Sequence, residues 1–302
     1  MIQSITFQLL TVIAIICLSV LSKYIKDLRI FNKTIHLWFI FLGIAFVYCL
    51  YLNYISFVGG LIIVLLFLSA SYGNSTRVPY LQLSLGILSG LIFLALSLHM
   101  LPGFHNIVLI DKQIIKEFST PYTLYFNFDK TLAGLIFFFI FIKSTKKILS
   151  NNIKLLSLGV MIFTISLIIS ISLSIGILEP NRNYLFGIQF ISIFLIIQIF
   201  STTLAEEVFF RGFIQANLYH IFKENTILYK TVPLIVSSLL FGLVHFSGGI
   251  IYAFLAFLAG LGYGLVYQLT GRIEASILGH LSLNIIHLVF FSYPFSSSFI
   301  AQ

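Results

Sequence analysis

Ten apolar stretches follow one another along almost the whole of this chain, each long enough, or nearly so, to cross the ~30 Å hydrocarbon layer of a bilayer. They fall near residues 5–22, 35–51, 55–71, 81–100, 131–142, 155–177, 190–218, 231–247, 250–269 and 274–292. Lipid supplies no hydrogen-bond partners to an open backbone, so runs of this kind are read as helices. The expected fold is all-α, a polytopic transmembrane bundle of about eight to ten spans, the fifth run being short for a full crossing. With 59% hydrophobic and 9% charged residues among 302, no stretch is left for a soluble domain. The first run has no basic residue before it and no small-residue cleavage pattern after it, so it is expected to be a retained span.

The formal charge of +8 does not indicate a nucleic-acid partner, because the basic residues are spread over short connections and form no single patch. If all ten runs cross, Lys23, Lys26, Arg29, Lys33, Arg77, Lys143, Lys146, Lys147, Lys154, Lys223, Lys230 and Arg272 share one side. Lys112, Lys116, Lys130 and Arg182 share the other. This asymmetry puts the richer side in the cytoplasm and the N-terminus outside. Cys17 and Cys49 lie within apolar runs and show neither disulfide nor metal spacing. The one long connection, residues 102–130, is expected to carry an interfacial helix around Leu109–Phe118 and, in Tyr125–Lys130, an interface anchor before the next span.

Three polar groups interrupt the apolar background in the last third of the chain: Glu206, Glu207 and Arg211; Phe241 and His245; His280 and Asn284. An ionised side chain at bilayer depth costs roughly 2.5–3.5 kcal/mol on insertion scales, so such residues are functional candidates by default. Four-residue spacing puts Glu207 and Arg211 on one helical face as a mutually neutralising pair, leaving Glu206 for chemistry. The same spacing aligns His280 with Asn284, and His287 continues that column. At ~1.5 Å of rise per residue these groups reach a common depth only if the seventh helix runs on through Arg211 to about Leu218, which is the length adopted.

In these residues the chain resembles the CPBP intramembrane proteases, the family that includes the type II CAAX prenyl endopeptidases. The family pattern EExxxR, FxxxH and HxxxN stands here as Glu206-Glu207-Arg211, Phe241-His245 and His280-Asn284, in order and without departure. The resemblance spans about residues 195–292 and suggests a division into N-terminal membrane helices, residues 1–190, and a catalytic membrane core, residues 191–302. It implies hydrolysis of a peptide bond in a membrane-associated protein or peptide precursor. Glu206 would act as general base on water, His245 would hold that water, and His280 with Asn284 would stabilise the oxyanion. Glu207 and Arg211 would support them. The scheme favoured is metal-free; zinc on Glu206, His245 and His280 uses the same atoms and stays open, as does the rival of a proton- or ion-coupled transporter or a non-cleaving immunity or scaffold protein. Short loops and a composition rich in Ile, Lys, Asn and Phe suggest a bacterial inner membrane.

Overall fold

Each of the ten apolar runs carries a helix in the computed structural model, which describes residues 7–25, 28–30, 33–143, 149–224 and 226–300. Lys26, Lys146 and Lys147 lie outside the described residues. Among the described residues seven helices are long and apolar enough to cross a membrane: Phe57–Ser75, Pro79–Ser97, Asn151–Ser174, Phe190–Tyr219, Ile227–Val244, Ile250–Thr270 and Ile273–Phe290. Phe7–Ser22 and Leu37–Tyr51 are apolar but shorter. The protein is an all-α, multi-pass membrane protein. Large apolar side chains stand on the outside of these helices, Leu155, Ile162 and Phe163 among them, as a lipid-facing surface requires.

Two compact units divide the chain. The first comprises Met1–Ile110, Leu124–Ser144 and Phe200–Ala205. At its centre is the short fifth helix, Phe128–Phe141, in which every residue from Thr131 to Phe139 is buried. Fourteen residues rise only ~21 Å, and a segment of that length is more at home inside a bundle than against lipid. Gly134 lets Ala205 approach so closely that a β-carbon at position 134 would meet the Ala205 β-carbon at 2.7 Å. Thr131 and Ser201 share a hydroxyl hydrogen bond of 2.5 Å beside that contact. At the N-terminal end, the buried carboxylate of Asp129 contacts His99 Nδ1 at 2.7 Å and accepts from Asn106 Nδ2 at 3.2 Å. Tyr125–Lys130 is therefore the end of a strand followed by a helix start tied down through Asp129.

The connection expected to hold an interfacial helix forms a two-stranded sheet instead, Ile107–Gln113 pairing with Tyr122–Phe126. Lys112 and Phe118 adopt φ of +45° and +54°, which a right-handed helix cannot contain. The Lys112 amide donates to Thr123 Oγ1 instead. The β-branched residues Ile107, Val108 and Ile110 favour the pleated form over a single helical turn.

The second unit comprises Asp111–Thr123, Thr145–Ile199 and Glu206–Gln302. Its helices meet through small residues. A β-carbon on Gly262 of Ile250–Thr270 would collide with Thr164 of Asn151–Ser174, and one on Gly279 of Ile273–Phe290 would collide with Met161. Close backbone approach of this kind replaces the hydrophobic driving force that helices lack in lipid.

Candidate functional site

The helix Phe190–Tyr219 is continuous for 30 residues, as the depth argument requires. It is not uniform. Wide π turns, Gln198–Thr203 and Val208–Gln215, flank the four-residue α segment Leu204–Glu207 that presents both glutamates. Such turns recur at functional positions in helices because they re-aim side chains that a regular ladder would point elsewhere.

Glu207 and Arg211 are fully buried and paired, Arg211 Nε donating to Glu207 Oε2 at 3.2 Å. Burying both charges would cost several kcal/mol per ion without further partners. The helix Ile273–Phe290 supplies them: Ser276 Oγ donates to Glu207 Oε2 at 2.6 Å and His280 Nδ1 lies 2.9 Å from Glu207 Oε1. Arg211 Nη1 also donates to Ser237 Oγ at 3.1 Å, and its guanidinium lies 5.3 Å from the Phe241 ring centre. The Glu207–Arg211 pair is thus a fastening among three helices.

Phe241 of Ile227–Val244 is the wedge between the two imidazoles, 4.6 Å from the His245 ring centre and 5.7 Å from that of His280. His245 stands just past the helix end, where Gly249 at φ +95° turns the chain into the next helix. Its Nδ1 lies 2.7 Å from the Phe241 carbonyl. A carbonyl only accepts, so Nδ1 carries the proton and Nε2 is the nitrogen left to face the site. The His280 ring stacks on Tyr263 at 4.7 Å, with 14° between planes. Its Nδ1 is directed to a carboxylate, so its Nε2 likewise faces inward.

Both inward nitrogens converge on Glu206. Its Oε2 is 3.9 Å from His245 Nε2 and 4.0 Å from His280 Nε2. His245, His280, Asn284 and His287 line a cleft of about 90 Å³, otherwise walled mostly by apolar residues such as Ile168, Leu178, Leu255, Ala256 and Leu283. Asn284 Nδ2 donates to Gln198 Oε1 at 2.8 Å. His287 Nε2 is 3.1 Å from the Ser292 carbonyl. All seven motif residues therefore lie together: Glu206, Glu207, Arg211, His245 and His280 in mutual contact, Phe241 between the two imidazoles, and Asn284 on the same cleft.

Sequence reasoning passed over Ser276 and Gln198, although both follow the helical spacing used for the others. Ser276 precedes His280 by four residues, and Gln198 precedes Glu206 by eight on the same helix. Tyr252 and Phe295, which close the cleft, offered no such pattern.

The donor types suit zinc, one carboxylate oxygen and two imidazole nitrogens. Their spacing suits it less well. Ligands of a tetrahedral zinc with bonds of about 2.0–2.1 Å lie roughly 3.3 Å apart, against 3.9 and 4.0 Å here. Among the described residues no group of three or more His, Cys, Asp or Glu forms a metal-holding cluster.

The fold and this buried arrangement of acid and imidazoles define a polytopic membrane protein with an enclosed polar centre. Residues 188–286 match the family model described as type II CAAX prenyl endopeptidase Rce1-like, a stretch containing every motif residue from Glu206 to Asn284. The match covers about a third of the chain, and over that third the chain is similar to the CAAX-type intramembrane proteases. No curated protein and no solved structure matches the chain.

Proposed function

We propose that the protein is an intramembrane endopeptidase in which Glu206 draws a proton from a water held between it and the imidazoles of His245 and His280. The observation that carries this reading is the pair of distances from Glu206 Oε2 to the two Nε2 atoms, 3.9 and 4.0 Å. They are too long for direct hydrogen bonds. They match two acceptors sharing one water, each about 2.8 Å from its oxygen. The water has two protons, one directed to the Glu206 carboxylate and one to His245 Nε2; as its oxygen attacks the carbonyl carbon Glu206 takes the first, and returns it to the amine nitrogen when the C–N bond breaks.

Proton removal by a positioned carboxylate contributes typically 10²–10⁴-fold to such a step. As the tetrahedral centre forms, its oxyanion needs donors. Asn284 has a second amide proton beyond the one given to Gln198. His280 donates through Nε2 as an imidazolium, a form that Glu207 at its Nδ1 supports as a buried carboxylate does in a catalytic triad, and it keeps that proton through the step. Glu207 is in turn held by Arg211 and Ser276. No step of this scheme runs through a metal.

The substrate class is a membrane-associated protein or peptide precursor, because the cleft is mostly apolar and the site is carried by membrane helices. A bacterial inner membrane is the proposed location, on the composition and the loop charges. Glu206→Gln keeps the shape of the side chain and removes its basicity. Cells carrying it should accumulate an uncleaved membrane-associated protein, seen as missing new N-termini by terminal-peptide mass spectrometry. An unchanged set of N-termini would refute the protease reading. Activity lost on exhaustive chelation and restored by zinc would refute the metal-free form of it.

A further inference from the structure

Lys116 lies outside the matched region, in a connection the catalytic scheme does not use, yet it is among the most enclosed residues of the protein at 1% exposure. Its Nζ reaches the carbonyls of Leu288, Val289 and Phe291 at 2.9, 3.3 and 2.6 Å. A fourth carbonyl, that of Asn181, is 2.5 Å away, and the Tyr184 ring centre lies 4.8 Å off. Three of the four acceptors close the C-terminal end of Ile273–Phe290, the helix that carries Ser276, His280, Asn284 and His287. The last carbonyls of a helix have no partner within it and carry its negative end, so an ammonium there is both a cap and a countercharge. Burial pulls the amine down to about 8, which leaves it an ammonium at neutral pH.

The same three segments are sewn together around Lys116. Asn181 N donates to the Phe290 carbonyl at 2.8 Å, Ser292 N to the Glu179 carbonyl at 2.8 Å, and Tyr293 N to Ser119 Oγ at 3.0 Å. Thr120 N donates to the Phe295 carbonyl at 3.0 Å, and the Tyr184 hydroxyl to that of Val289. Phe295 itself borders the cleft.

We infer that Lys116 is a positioning residue: it pins the end of Ile273–Phe290 and thereby sets the depth and rotation at which His280 and Asn284 face Glu206. The inference rests on the protease reading above for its consequence in catalysis, and on the geometry alone for the clamp. A helix moves as a rod, so a shift at Leu288 is delivered to His280 two turns away. The Glu206–Nε2 separations leave little tolerance for it, since misplacement by about 1 Å can cost on the order of 10²-fold.

Two readouts separate clamp from catalysis. Hydrogen–deuterium exchange at pH 7 on the full-length protein in detergent should show Lys116→Met speeding amides at the end of the helix and in the following residues, 284–295, by about tenfold or more. That is the scale of one lost charge-assisted hydrogen bond. Peptides from Ile250–Thr270 should not change. Lys116→Arg, with room in the narrow void bordered by Tyr184, Phe190, Leu288 and Val289, should keep the protection. Lys116→Gln, which still offers two donors, stands in should the methionine variant not fold, with a smaller change of the same sign.

In membranes, the rate at which new N-termini appear should fall about tenfold in the methionine variant and return in the arginine one. Wild-type exchange in Lys116→Met, or acceleration spread over every helix, would overturn the clamp. Local acceleration with an unchanged cleavage rate would overturn the positioning role. Failure of the protease reading shows separately, as N-termini unaffected by Glu206→Gln, and leaves the exchange experiment to judge the clamp.

Discussion

Arg211 shows how a charge is kept in a place where charges are costly. It is fully buried with Glu207, and Ser276, Ser237, His280 and the Phe241 ring complete their surroundings. Removing one member of such a pair leaves the other enclosed and uncompensated, at a cost of about 3–5 kcal/mol. Arg211→Leu should therefore lower the thermal midpoint in detergent far more than Ser276→Ala, which gives up one hydrogen bond to a charged group, about 1.5–3 kcal/mol. Equal midpoints for wild type and Arg211→Leu would show that the pair contributes nothing. Glu206→Gln is the contrast: it should leave the midpoint within roughly 0.5 kcal/mol of the wild type while stopping cleavage. The pairing of Glu207 with Arg211 was legible from four-residue spacing alone. The tie from Glu207 to His280 was not, because nothing in a linear pattern says which helix will lie against which.

Gly262 belongs to the scale of elements, where two helices touch through what one of them lacks. Valine at that position would drive its side chain into Thr164, at a cost of about 1–3 kcal/mol. Thr164→Ala removes the two nearest atoms and should recover part of the loss in a double-mutant cycle of thermal midpoints. Gly43→Ala, with open space around it, should be neutral. No recovery in the double variant would mean that the two helices do not meet there. Helices were readable because their apolar runs are long; the first run and the helix Phe7–Ser22 end at the same residue. Leu109–Phe118 was read as an interfacial helix because the short apolar run Ile107–Ile110 satisfies both periods; the positive φ at Lys112 and Phe118 excludes the helix. The wide turns around Leu204–Glu207 leave no mark in composition at all.

For the whole molecule, the distribution of basic residues makes a prediction about sidedness. Single cysteines at Asp111 and Glu224, in a background of Cys17→Ser and Cys49→Ala, should label differently with a membrane-impermeant thiol reagent. Asp111→Cys should react in intact cells and Glu224→Cys only after permeabilisation. The reverse result would invert the orientation, and equal reaction at both would refute the ten-crossing count. The number of helices was legible because lipid demands long apolar runs. The enclosed position of the fifth helix, Phe128–Phe141, was only hinted at by its length.

The uneven pitch of Phe190–Tyr219 has a bearing on how this acid is aimed. A π turn stores a surplus residue, and a helix can pass such a surplus along itself without unravelling. Moving it across position 206 would swing the carboxyl by roughly 100°, the angle between neighbouring residues, and carry it out of reach of both rings. Deleting Ile199 alone would thus take back the surplus and leave the acid aimed as before, whereas a surplus shifted past it would leave a sound rod whose acid points at the wrong neighbour; competence resides in where one spare residue is kept.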